Sequence, residues 1–354
     1  MAKLCEGLVT MGNDVDVYTT TANGKTELDV GIGRPVNIEG VLVTYFERIT
    51  KDPTHISFSL WRRLNKTVTL YDVVHIQSWW NPLVIGASYI CYKKGVRFII
   101  SPRGMLSEYI INAGNSFVKK LIHTAVGKFV LSKSHFHATA RAEYNECVKL
   151  IPGWNGFVLP NILSLPETEF QMIDNKVFTM IFMSRIHPKK GLELLFNVIS
   201  TLNFKVLLKI AGSGDDIYIR ELKALADSLK ISSSIQWLGW TKRDEKFKEL
   251  MNADLFVLTS YNENFANVVI EALHMGTPVL VSENVALSDF VREKDLGWIT
   301  TLDILDIKNH LEQAYINIEK RKAVRKMGRA VIKDVFDEKK LINDYVGAYK
   351  SIVF

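Results

Sequence analysis

From end to end the chain alternates between short runs rich in β-branched and aromatic residues and longer segments with helical spacing. DVDVYTT (14–20), VLVTYF (41–46), VVHIQ (73–77), VRFIIS (96–101), FHATA (136–140) and FVLPN (157–161) read as strands. PLVIGASYICYKKG and SFVKKLIHTAVGKFVLSK lie between some of them and read as helices. Strands separated by helix-length segments are joined by crossovers, and crossovers give a parallel sheet with helices on its faces. The alternation pauses at SLPETEFQMIDNK (164–176), which is polar and without a period, and then restarts. VFTMIFMS (177–184), VLLKIAG (206–212), IQWLG (235–239), LFVLTS (255–260) and PVLVS (278–282) are the second set of strands. GLELLFNVISTL, IYIRELKALADSLK, DEKFKELMN and FANVVIEALHMG are the helices between them. This predicts an α/β protein with two Rossmann-like doubly wound domains, 1–163 and 177–337, joined by the linker 164–176. A final helix over 338–354 carries Leu341, Ile342, Tyr345, Val346, Tyr349 and Ile352 at helical spacing. Ligands in such folds bind at the carboxyl ends of the strands, and two such domains leave a cleft between them.

A length of 354 residues fits two domains. No apolar run is long enough for a membrane span, and MAKLCEGLVT lacks the basic-then-apolar layout of a secretory signal. Cys5, Cys91 and Cys147 are odd in number and far apart, which argues against a disulfide framework or a zinc site and fits a reducing cytosol. The expected location is cytoplasmic. The net charge of +6 favours an anionic partner. No nucleic-acid motif is present, so a nucleotide or an anionic lipid surface is expected rather than a nucleic acid.

Three segments could carry chemistry. FVLTSYNENFANVVIEALHMGTPVL (256–280) reads as a buried strand, a polar loop from Tyr261 to Asn267, and a helix stopped by Gly276 and Pro278. Glu263 and Glu271 frame the loop and helix in an E-x7-E spacing. A strand, loop and helix start together seat an anionic, hydroxyl-rich ligand. The carboxylates could act as an acid–base pair or as acceptors for sugar hydroxyls. Singly, each reads more simply as a solvated or helix-terminal glutamate. In MSRIHPKKGL (183–192), Arg185 and Lys190 could close on a diphosphate, since guanidinium offers a planar fork and ammonium a point charge. Alone, that triplet of cations reads as a solvated basic turn. IAGSGDD (210–216) resembles a dinucleotide loop through Gly212 and Gly214 but lacks the third glycine, and its glycines could merely serve the turn.

Taken together, ENFANVVIEAL and the upstream SRIHPKKG resemble the retaining nucleotide-sugar glycosyltransferases of the GT-B fold, in the group 1 (family 4-like) set. YDVVHIQSWWNP and SPRGMLSEYIINAG resemble the first half of that family. The resemblance covers nearly the whole chain, and it implies the following roles. Arg185 and Lys190 bind the diphosphate of the donor. Glu263 accepts hydrogen bonds from the donor sugar, near the backbone of Phe265, Ala266 and Asn267. Glu271 binds the ribose hydroxyls. Val268 and Val269 start the helix facing the phosphates, Gly212 and Gly214 let the backbone approach the nucleotide, and Trp240 lies near the base. Glu263 and Arg103 are the catalytic candidates, although Arg103 stands where many members carry His and cannot serve as a base.

The resemblance also implies no obligatory metal or cofactor, the nucleoside-diphosphate sugar being a substrate. Asp14 and Asp16 form a D-x-D but fall at the second-strand position and read as structural. The acceptor is expected to be a glycan or lipid-linked hydroxyl in surface polysaccharide or lipopolysaccharide synthesis. The first domain would bind it, and the C-terminal helix would cross back to that domain. Phe58, Trp61, Arg62, Arg63 and the stretch from Phe117 to Lys133, with Lys119, Lys120 and Lys128, could touch the inner face of the membrane. They also fit ordinary amphipathic helices. His75, His135 and His137 read as packed strand histidines. The family opens with a strand and a glycine-rich loop; here the pattern starts inside the following helix, so a segment of about 20 residues is expected to be missing from it. That departure keeps open a non-catalytic nucleotide- or partner-binding remnant. A dinucleotide oxidoreductase is the other alternative, disfavoured by the absent glycine and by the Glu263/Glu271 pair.

Overall fold

The computed structural model describes the chain except for residues 25, 51, 53, 113–116, 118, 120, 122 and 168–174, and describes residue 125 by its backbone alone. Lys120 and most of the polar segment 164–176 therefore lie outside the described residues. The chain divides into two units, Met1–Ile162 with Glu338–Phe354, and Leu163–Asp337.

In the first unit, β1 (Asp16–Thr20) and β3 (Val41–Phe46) pair in parallel, and β2 (Pro35–Ile38) adds to β3 antiparallel. A separate parallel sheet runs β4 (Val73–Gln77), β5 (Arg97–Ser101), β6 (His135–Ala138), β7 (Gly156–Val158). Among the described residues no ladder joins β1 to β4, so the strands here form two sheets where the sequence suggested one. Strand β2 was not predicted. It is short, opens on Pro35 and is exposed throughout, Val36 and Ile38 included, which suits a sheet edge.

The last helix, Glu338–Val353, belongs to this first unit and packs on α1 (Ala2–Thr10) around Leu4, Leu8 and Tyr345. Burial of each such side chain stabilises the contact by roughly 1.5–3 kcal/mol. The same helix is tied to the sheet by a chain of hydrogen bonds whose direction can be deduced. His137 Nε2 lies 2.8 Å from the Leu159 carbonyl, which can only accept, so that nitrogen carries the proton. His137 Nδ1 therefore accepts from Ser101 Oγ at 2.7 Å. Ser101 in turn accepts from His75 Nε2 at 2.6 Å, and His75 Nδ1 accepts from the Tyr349 hydroxyl at 2.7 Å. Both rings are neutral. Burial, then His137 and Arg103, holds His75 well below the usual imidazole range, and burial followed by Arg103 pushes His137 down to about 3.

The second unit holds six parallel strands: β8 (Phe178–Met183), β9 (Val206–Ala211), β10 (Ile235–Gly239), β11 (Leu255–Leu258), β12 (Val279–Ser282) and β13 (Gly297–Thr300). Their order is β10-β9-β8-β11-β12-β13. Every residue of β8, β11 and β12 is buried, as strands covered on both faces require, and their sequences are apolar but for Thr179 and Ser282. The chain winds outward in opposite directions from β8 and from β11. The crevice at the carboxyl ends of these two neighbours is the topological switch point of the sheet.

Candidate functional site

Two loops leave the sheet at that switch point. From β8 the chain passes through Ser184 and Arg185 into a tight turn at Pro188–Lys190, where His187 Nδ1 accepts from the Lys189 amide at 3.1 Å. Burial first, and then Arg185, Lys189 and Lys190, hold the His187 imidazole below its usual pKa, a sign of local positive potential. From β11 the chain passes through Thr259 to Ala266 and enters α7 (Asn267–His274). The loops are fastened together: the Tyr261 amide donates to Lys189 O at 2.9 Å, and Thr259 Oγ1 donates to Gly191 O at 2.9 Å. Glu263 is also pinned from a third side. Its amide donates to Asn284 O and its carbonyl accepts from the Ala286 amide, both at 3.0 Å.

These loops, α7 and α6 (Arg243–Met251) enclose a cavity of about 440 Å³. That size suits a small-molecule ligand. Of the residues singled out in the sequence, Arg185, Lys190, Gly212, Trp240, Glu263, Ala266, Asn267, Val268 and Glu271 line it. Lys190 is buried and its ammonium is ion-paired with Glu263. Glu271 is held from the other side by Lys246, with Nζ 2.6 Å from Oε1. Arg185 has no carboxylate partner among the described residues. Arg185, Lys190, Arg243 and Lys246 against Glu263 and Glu271 leave the lining with two net positive charges.

The start of α7 adds to that positive field. Its N-cap residue, Ala266, gives no side-chain cap, and Ala266, Asn267 and Val268 line the cavity, so the positive end of the helix dipole lies at the cavity edge. The helix begins at Asn267, one residue earlier than expected. Ala266 makes the turn into it in the left-handed region, at φ 61° and ψ 65°. That conformation costs a residue with a Cβ about 1–2 kcal/mol.

Three expected members do not line the cavity. Gly214 is bridged to Ile186, and a Cβ there would stand 2.1 Å from the Ile186 carbonyl oxygen. Gly212 does line the cavity, but its missing Cβ clears Ser184 O at 1.9 Å, at a φ of +138°. Both glycines therefore let two loop backbones approach each other. The Phe265 side chain is buried and meets Phe336 edge-on at a centroid distance of 6.4 Å. Arg103 belongs to the first unit. At φ 56° it donates through Nε to Gln77 Oε1 at 2.9 Å and through Nη1 to Asn161 Oδ1 at 2.5 Å. Conversely, Met183, Ser184, Ala211, Thr241, Arg243, Lys246 and Leu258 line the cavity without having been predicted. Arg243 and Lys246 sit in the run KRDEKFKE, where no single charge stands out. Their signal is positional, since the helix after the third strand of a wound sheet starts at the carboxyl edge.

This geometry is an electropositive crevice with two acceptor carboxylates at the switch point of a wound sheet, where such folds bind small ligands. Comparison with known proteins gives the family. The model for glycosyl transferases group 1 matches residues 167–331, and that for glycosyltransferase family 4 matches residues 1–163. The chain belongs to the group 1 glycosyltransferases of the GT-B fold. An uncharacterized glycosyltransferase of Methanocaldococcus jannaschii is 28% identical over 323 residues, spanning 84% of this chain and 79% of that one. A lipopolysaccharide core biosynthesis glycosyltransferase of Rhizobium meliloti is 25% identical over 46% of this chain and 47% of its own length. Among solved structures, the sucrose-phosphate synthase of Thermosynechococcus elongatus superposes with a TM-score of 0.78 at 16% identity, covering 99% of this chain and 92% of that one. An Anabaena protein solved with UDP and glucose gives a TM-score of 0.71 at 16% identity, covering 88% and 87%. No helix among the described residues is long and apolar enough to cross a membrane.

Proposed function

We propose that the protein is a retaining transferase that moves a hexose-like unit from a nucleoside-diphosphate sugar to an acceptor hydroxyl, in the synthesis of a surface polysaccharide or lipopolysaccharide. The observation that carries this reading is the convergence of Arg185, Lys190, the start of α7, Glu263 and Glu271 on one cavity. Arg185, Lys190 and the helix dipole meet the diphosphate, whose charge grows as the bond from the anomeric carbon to the phosphate oxygen breaks. Glu263 accepts hydrogen bonds from the sugar hydroxyls and Glu271 from the ribose. Trp240, exposed at the rim, offers a face to the base. The new bond forms from the acceptor oxygen on the face the phosphate leaves, and the acceptor proton passes to the departing phosphate oxygen. No metal or other cofactor is assigned, because two net positive charges and a helix start already oppose the leaving group. No step is assigned to Arg103.

The likeness to a lipopolysaccharide enzyme and to a protein solved with UDP and glucose supports the substrate classes. A lipid-borne acceptor and a peripheral site on the cytoplasmic face of the membrane suit the exposed aromatic and basic surface residues of the first unit. Phe58, Phe117 and Phe129 are exposed, as are Arg62, Arg63 and Lys128. Trp61 is not part of that surface, since its indole N–H donates to Leu83 O at 2.9 Å between two helices. Glu263→Gln tests the reading. It keeps the shape of the side chain and should lower transfer by roughly 10- to 100-fold, the worth of a charge-assisted hydrogen bond. Unchanged turnover of a nucleotide sugar would refute the assignment.

A further inference from the structure

The pairing of Lys246 with Glu271 has a consequence for selectivity. Lys246 is the fourth residue of α6, close to the positive end of the helix dipole, where a cation is disfavoured. Its own helix offers the ammonium only the ring of Phe247, 4.6 Å away. Its ammonium crosses to α7 and binds Glu271 Oε1 at 2.6 Å. Both side chains line the cavity, and both are largely buried, at 26% and 14% exposed. Among the described residues no other donor reaches Glu271, so its second carboxylate oxygen is the acceptor left for a ligand.

We propose that Lys246 is a positioning residue that sets the preference of this site for a ribose over a deoxyribose nucleotide. The inference rests on the reading of Glu271 as the ribose acceptor. A free glutamate carboxylate turns easily about its last torsion. With one oxygen clamped, the other is held in place for a hydroxyl, and the clamp offsets a negative charge that would otherwise repel a diphosphate. Losing the clamp therefore has two separable effects. Neutralisation of the site is lost for every nucleoside diphosphate alike. Orientation is lost only for ligands that carry the hydroxyl.

Calorimetric titration of UDP, 2′-deoxy-UDP, GDP and 2′-deoxy-GDP tests this, using the full chain as wild type, Lys246→Met, Lys246→Arg and Glu271→Gln, each with its melting temperature checked. The wild type should prefer the ribonucleotide by roughly 10- to 100-fold, as a hydrogen bond to a charged group gives. Lys246→Met should bring that preference to within about threefold while weakening both ligands, Glu271→Gln should also reduce it, and Lys246→Arg should restore it. A purely structural salt bridge would lower affinity for ribo and deoxy forms equally and leave the ratio unchanged. Full preference retained by Lys246→Met overturns the inference and leaves the donor reading standing. Failure of these four nucleotides, and of ADP and 2′-deoxy-ADP titrated alongside them, to bind the wild type overturns both.

Discussion

Lys190 and Glu263 stand 73 positions apart in the sequence and form an ion pair at the carboxyl edge of the second sheet. One comes from the turn after β8 and the other from the loop after β11, so the pair spans the switch point and holds its two loops in register. Both groups are mostly buried, at 8% and 20% exposed, so neither can lose its partner without cost.

Lys190→Met should therefore act on stability and binding together. Removing one partner of a fully buried pair costs about 3–5 kcal/mol. Glu263 keeps some contact with solvent, so a loss of about 1–3 kcal/mol is expected in denaturant unfolding. Nucleoside-diphosphate affinity should fall at least about 10-fold. Lys190→Met with Glu263→Leu should recover much of the stability but none of the binding, which separates the two roles.

Ala266 holds a left-handed conformation at the mouth of α7. Ala266→Gly should leave the loop in place and raise stability by up to about 1 kcal/mol, since glycine adopts that region freely. Thermal melting would show it. A bulkier β-branched residue, as in Ala266→Val, should destabilise and disturb binding.

Trp240 is 78% exposed at the rim of the cavity. An aromatic face stacked on a base contributes about 1–3 kcal/mol. Trp240→Ala should then weaken a nucleoside diphosphate by roughly 5- to 150-fold and change inorganic pyrophosphate binding little, as competition titrations would reveal.

The buried histidines give stability a pH dependence of known sign. His75 and His137 are neutral when folded, with pKa values held below the ordinary imidazole value. Above about pH 6.5 both states are neutral and stability is full. Below it the unfolded chain takes up protons that the folded chain refuses. Stability is lost as pH falls, by about 1.4 kcal/mol per pH unit for each histidine. For His137 the loss continues until the folded ring itself protonates near its value of about 3. His137→Gln should remove that histidine's share, up to about 1.4 kcal/mol per pH unit, from the slope of unfolding free energy between about pH 6 and pH 4.5.

On the exposed aromatic face, Tyr92 meets Phe129 edge-on at 5.1 Å and Lys133 lies over Phe129 at 5.9 Å. Phe129→Ser with Lys128→Glu should reduce sedimentation with anionic lipid vesicles severalfold and leave binding of free nucleotide unchanged. Equal sedimentation would remove the membrane proposal.

What the sequence made legible was local. Glu263 and Glu271 stood out because one strand–loop–helix unit carries both, and β11 and β12 because strands buried on both faces have no polar alternation to blur them. Lys246 was not legible, because its meaning comes from the packing of α6 on α7, which no spacing encodes. Phe265 was named for its backbone amide, and nothing in its spacing tells that its side chain packs on Phe336. Gly212 and Gly214 were expected to let the backbone approach a nucleotide, and what their missing Cβ atoms clear is protein backbone. Their partners proved to be Ser184 and Ile186, since the contact is between two loops far apart in sequence.

The central claim is that the switch-point cavity of the second unit seats a nucleoside diphosphate against Arg185, Lys190 and the start of α7. Isothermal titration of UDP, GDP and ADP into the wild type and into Arg185→Ala tests it most directly. At least one nucleotide should bind the wild type at a single site, with an affinity at least about 10-fold weaker in the variant. Binding of none of the three, or binding that Arg185→Ala leaves unchanged, would contradict the account.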